Sequence, residues 1–128
     1  MPQRVRSGEL VLVLDCADLA RSTEFWAGVL GYWPAAPPSP PYQSLLPSDG
    51  QGCELLLQQV DDVKLGKNRM HVDVRTRDLT AEVQRCRGLG AAVLTEVPMV
   101  EDGWRWQVLA DPDANEFCVL EPPASYWR

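Results

Sequence analysis

The 128 residues carry 12 Lys and Arg against 18 Asp and Glu, a formal charge of −6 and a pI of about 4.7. An acidic chain repels phosphate backbones, and its densest basic stretch, 64–69, is flanked by Asp61, Asp62 and Asp73, so a nucleic-acid partner is excluded. The longest apolar run, Leu10–Leu14, falls far short of the roughly 20 residues of a spanning helix, so no membrane partner is expected.

Glu9 and Asp15 bracket that run, which is also too short for the apolar part of a signal peptide, so a cytoplasmic location is expected. Cys16, Cys53, Cys86 and Cys118 include no Cys-x-x-Cys pair, which argues for reduced thiols rather than a zinc knuckle or a disulfide framework. The apolar fraction of 45% is enough for a core without staples, and the length suits a single domain, 1–128.

Along the chain, Glu9–Asp15 reads as a strand. Asp18 has the chemistry of an N-cap, and Ser22, Phe25, Trp26, Val29 and Leu30 recur at helical spacing up to Gly31, a C-cap glycine. Five prolines between 34 and 41 make a stiff loop. Tyr42–Pro47 and Cys53–Val60 read as strands around a turn at 48–52. The plan then recurs. Arg69–Thr76 is a strand, Asp78 an N-cap, Leu79–Leu89 a helix and Gly90 its C-cap. Ala91–Thr95, Trp104–Leu109 and Asn115–Leu120 are strands, with the turn cluster Asp111–Asn115 before the last. Asp18-Leu19 overlays on Asp78-Leu79 at a spacing of 60 residues, 78 minus 18. Two βαβββ modules follow, about 8–62 and about 66–122. The fold class is α+β, with the modules forming a curved mixed sheet, a cup, and the helices on its outer face.

Strand alternation sorts the side chains. Leu10, Leu12 and Leu14 belong under a helix, and Val11, Val13 and Asp15 face the cavity. Met70, Val72 and Val74 likewise pack inward, while Arg69, His71, Asp73 and Arg75 face the cavity. Trp104 and Trp106 share one face, either cavity wall or core. Trp26 reads as helix core.

The paired modules, the run 18–31 and Leu-Ala-Asp-Pro-Asp-Ala-Asn-Glu-Phe at 109–117 resemble the vicinal oxygen chelate superfamily of glyoxalases, bleomycin resistance proteins and extradiol dioxygenases. Within it, Lys67-Asn68-Arg69-Met70-His71-Val72-Asp73 and Asp-Pro-Asp-Ala-Asn-Glu-Phe-Cys at 111–118 are similar to the glyoxalase-like domain. The resemblance implies four metal-ligand positions in the metal-dependent members, which fall here on Val11, Leu56, His71 and Cys118. Valine and leucine cannot ligate, and one imidazole with one thiol is too few. No metal and no other cofactor is therefore expected, although a one-residue slip would bring in Glu54 or Glu116.

The resulting expectation is a small-molecule binder. Tyr42, Gln58, Arg69, Asp73, Trp104, Trp106, Glu116 and Cys118 are the candidate ligand contacts. His71, the single histidine, is the candidate acid–base group, because an unperturbed imidazole titrates near pH 6.5. The alternative is an enzyme, a lyase, isomerase or cyclase of a small metabolite, using His71 as proton shuttle. A metal-dependent lyase or dioxygenase and a ligand-free dimerisation module are the further readings. The uncovered sheet faces and the aromatic Tyr126-Trp127 end make a homodimer the expected assembly.

Overall fold

The computed structural model describes residues 10–35, 37–68 and 71–127. The first module runs β1 (Val11–Cys16), α1 (Leu19–Leu30), β2 (Tyr32–Pro34), β3 (Tyr42–Pro47) and β4 (Glu54–Gln59). The second runs β5 (Val72–Arg75), α2 (Leu79–Leu89), β6 (Ala92–Val93), β7 (Met99–Glu101), β8 (Trp104–Ala110) and β9 (Glu116–Glu121), and a 3-10 turn, Ala124–Trp127, follows. The fold is α+β, with strands gathered into two mixed sheets. One is ordered β1-β4-β3-β2; the other is ordered β5-β9-β8-β6, with β7 also on β8. In each, the first strand of the module lies parallel to the last, which requires the intervening helix to cross one sheet face.

The helix ends follow their caps. Asp18 and Asp78 accept from the backbone N–H groups of Arg21 and Ala81, and Gly31 and Gly90 close the helices with φ of 67° and 118°. The two modules also share a cap that spacing did not reveal. Gln59 Oε1 at the end of β4 accepts from Leu19 N, and Glu121 Oε1 at the end of β9 accepts from Leu79 N, both at 2.9 Å. Each helix start is thereby tied to the last strand of its own sheet, which satisfies an N–H group left over by the helix ladder.

One core joins the helices to the backs of both sheets. Leu45, Leu55 and Leu57 enter it from the first sheet, and Leu109, Phe117 and Val119 from the second. Trp26 packs edge-on against Phe117 at 5.0 Å, so α1 reaches the second sheet as well as its own. Each such side chain removed from water contributes about 1.5–3 kcal/mol. Arg85 on α2 donates to the Gly28 and Val29 carbonyls, both at 2.8 Å, and so ties the end of α1 to its sister helix.

The turn at 111–115 knots the modules together. Asp111, 4% exposed, accepts through Oδ1 from Asp113 N and Asn115 N, and through Oδ2 from Trp26 Nε1 and the Asn115 amide. The Asn115 amide also donates to the Asp15 carbonyl, and Asp113 accepts from Ala17 N, Arg21 and Ser22.

Some boundaries differ from expectation. β2 and β7 were not foreseen. The strand expected at Ala91–Thr95 is shortened to β6, and β7 resumes the pairing with β8 after Pro98, which has no N–H for a ladder. Glu9, Arg69 and Met70, at the starts of two expected strands, lie outside the described residues.

Candidate functional site

Each sheet keeps a front face turned away from the core. On β5, Val72 and Val74 pack against the core, so Asp73 and Arg75 must point forward, and His71 just before the strand stands exposed beside them. On β9, buried Phe117 and Val119 alternate with half-buried Cys118 and Leu120. The register pairs Asp73 with Cys118, Val108 with Cys118 and Trp106 with Leu120, and directly paired residues share a face. Trp104 and Trp106 are therefore cavity wall, not core.

These side chains surround an open cavity of about 410 Å³, within the range of small-molecule sites. His71, Asp73, Cys118 and Leu120 form one side, and Trp104 and Trp106 the next. Glu101 and Asp102 complete it from the tip of the β7–β8 hairpin. The hairpin turn is Asp102-Gly103, with φ of 52° and 84°. Asp-Gly in such a position is the preferred sequence of the tight hairpin turn whose two central residues both need positive φ. That dipeptide was the available signal for β7, and Glu101 and Asp102 are the cavity residues that went unassigned without it.

Five expected site residues, His71, Asp73, Trp104, Trp106 and Cys118, meet in this cavity. Arg69 lies outside the described residues. Tyr42 and Gln58 do not join the five. They are cross-strand partners on the front face of the first sheet. Ser44 and Glu54 lie beside them, joined by a 2.7 Å hydrogen bond. That face is largely uncovered: Val13, Tyr42 and Leu46 are exposed, and Trp33, paired with Leu46, is 66% exposed.

Glu116 is engaged elsewhere. Lys64 Nζ donates to its Oε1 at 2.8 Å and Asn68 N to its Oε2 at 3.2 Å, so its carboxylate fastens the linker between the modules to the start of β9. Lys64 also donates to the Gly66 carbonyl. The Lys64 hydrogen bond, then that of Asn68, holds the Glu116 carboxyl below its ordinary pKa. Cys118 moves the other way. Burial, then the Asp73 carboxylate, pushes its thiol above the ordinary value, which disfavours the nucleophilic thiolate.

The metal-ligand positions implied by the resemblance do not fit a metal. Val11 and Leu56 are aliphatic, and the two carboxylates a slip would bring in already accept from Ser44 and Lys64. Among the described residues no three His, Cys, Asp or Glu side chains are grouped so that they could hold a metal ion. No helix among them is long and apolar enough to cross a membrane.

No curated protein matches the chain by sequence. Solved structures do match in fold. Fosfomycin resistance protein FosX from Listeria monocytogenes, in a mutant form complexed with Mn(II) and 1S,2S-dihydroxypropylphosphonic acid, superposes with a TM-score of 0.74 at 17% identity, over 94% of this chain and 94% of that one. FosX from Mesorhizobium loti gives 0.71 at 16% identity, over 96% and 98%. A glyoxalase/bleomycin resistance protein/dioxygenase from Nocardioides gives 0.70 at 18% identity, over 95% and 87%. Such likenesses carry the fold alone. The family profile described as glyoxalase-like domain matches residues 11–120, nearly the whole chain, from the first core strand to the last. With its two capped modules, one βαβββ and the other with the strand after its helix broken into β6 and β7, and with their open front faces, the chain belongs to the glyoxalase-like domain family.

Proposed function

We propose that this protein is a cytoplasmic small-molecule binder that holds its ligand against the front face of the second sheet without a catalytic metal. The observation that carries the reading is the cavity bounded by Trp104, Trp106, His71 and Asp73, which offers flat apolar walls and a small number of polar groups. The ligand is an organic molecule with at least one planar or apolar portion. The first sheet supplies the opposite wall through a second copy of the chain, in a homodimer that covers the exposed Trp33, Tyr42 and Val13. Gln58, beside Tyr42, then becomes a polar contact of that wall. Proton transfer by His71 is the second reading, favoured by its exposed position beside Asp73.

A thermal-shift screen of aromatic metabolites and antibiotics, followed by calorimetry of the hits, tests the reading. A ligand at 100 times its Kd raises stability by about 2.7 kcal/mol. Binding should fall at least about tenfold in Trp106→Ala, the loss of a desolvated aromatic anchor. The reading is overturned if hits bind Trp106→Ala as tightly as the parent, or if binding needs added transition metal. Turnover of a bound hit that His71→Ala abolishes would move the assignment to the second reading.

A further inference from the structure

We propose that the cavity selects a cationic ligand, an ammonium or guanidinium group on an apolar frame, and that Tyr126 sets this selectivity by withholding Arg75 from the cavity. The inference rests on the small-molecule reading above and names the ligand class of the same site.

Among the described residues the lining is rich in carboxylates. Asp73, Glu101 and Asp102 bring three carboxylates to the cavity, and no Lys or Arg lines it among the described residues. Lys67, on the exposed linker, adds a single positive charge near Cys118. The aromatic walls act in the same sense, because the face of an indole ring attracts a cation within about 6 Å of its centroid. The opposite wall would not reverse the balance. The strands of the first sheet, Val11–Cys16, Tyr32–Pro34, Tyr42–Pro47 and Glu54–Gln59, contain no Lys or Arg, and their front face carries Asp15 and Glu54. An anion such as a phosphonate would meet repulsion on both sides, and an ammonium group would meet carboxylates and ring faces.

Arg75 is the cation positioned to defeat this arrangement. It follows Asp73 on the same face of β5, about 7 Å along the strand. Its guanidinium is not part of the lining but is held beside the Trp104 wall by Tyr126. Nη1 donates to the Tyr126 hydroxyl at 2.7 Å, and Cζ lies 5.1 Å from the Tyr126 ring and 5.6 Å from that of Trp104. Tyr126 is braced in turn. Its N–H donates to the Pro123 carbonyl, its ring meets Trp104 at 5.7 Å, and the neighbouring Trp127 stacks under Arg77 at 4.5 Å. The contact on Trp104 also displays the recognition mode, since a guanidinium already sits over that ring. Trp106 carries no such internal cation among the described residues, so its face is left for the ligand.

The test is an NMR titration of the intact protein with three probes of one shape: 2-phenylethylammonium, 2-phenylethanol and phenylacetate, with fosfomycin as a further anion. The cation should bind about tenfold tighter than the alcohol, and both anions more weakly than the alcohol. Asp73→Asn should narrow the cation–alcohol gap severalfold. Tyr126→Phe and Tyr126→Ala, at an exposed position, should free Arg75 and raise phenylacetate affinity about threefold or more relative to the cation. Equal binding of all probes, or tighter binding of an anion to the parent protein, overturns the charge selectivity. If Trp106→Ala still abolishes that binding, the small-molecule reading survives without it. An unchanged cation-to-anion ratio in both Tyr126 variants overturns the role of Tyr126. No binding by any probe overturns the inference and counts against the site itself.

Discussion

Replacing Asp111 by alanine removes the shared acceptor of two backbone N–H groups, the Trp26 indole and the Asn115 amide, all buried or half-buried. Buried donors left without acceptors each cost about 1–3 kcal/mol, although relaxation and water recover part of that. Asp111→Ala should therefore destabilise the protein by about 2–4 kcal/mol, read as a lower urea midpoint at unchanged m-value. His71 is the contrasting case. It is exposed at the mouth of a cavity and fills no core volume, so His71→Ala should cost less than about 1 kcal/mol. The same substitution should weaken ligand binding, because a site built around a polar partner loses affinity when that partner is missing. Large destabilisation with unchanged affinity would reassign His71 to structure.

At the scale of elements, the linker clasp responds to acid. The carboxyl of Glu116 has a folded-state pKa held below its ordinary value of 4.5. The stabilisation it supplies is therefore complete above that ordinary value and is lost as pH falls through the lower folded value. Hydrogen exchange at Asn68 should accelerate as pH drops below about 4.5, relative to the intrinsic rate, and Glu116→Gln should flatten this dependence. The clasp was invisible in the sequence, because it joins a linker to a strand start 52 residues away and no local pattern encodes that distance. The helices lay at the other extreme. Asp18, Gly31, Asp78 and Gly90 mark ends that are decided within one turn of chain, and spacing located them. Strand faces were also legible, since alternation at Val72–Arg75 settles which side chains go forward once a core exists. The role of Trp104 and Trp106 stayed undecided until the register with β9 was known, because both core and cavity accept tryptophan. Which sheet each front-face residue joins was equally hidden. Tyr42 and Gln58 share their cavity-facing sense with Asp73 but stand on another sheet.

For the whole molecule, the common core has a thermodynamic consequence. Residues from both sheets and both helices belong to one buried cluster, so neither module should melt alone. The native protein should unfold in one transition, with fluorescence and circular dichroism coinciding. Light scattering at tens of micromolar, a concentration chosen to populate a dimer by mass action, should give twice the chain mass. Two separable transitions would argue for independent modules, and a monomer mass would leave the first sheet face uncovered. The knot at Asp111–Asn115 carries a further consequence of topology. It binds the end of β1 and the start of α1 to a hairpin of the other module without using the covalent linker at all. A protease site engineered at the exposed Val63 or Leu65 would therefore nick the chain without dividing the molecule, and the two fragments should elute together from a sizing column until denaturant is added.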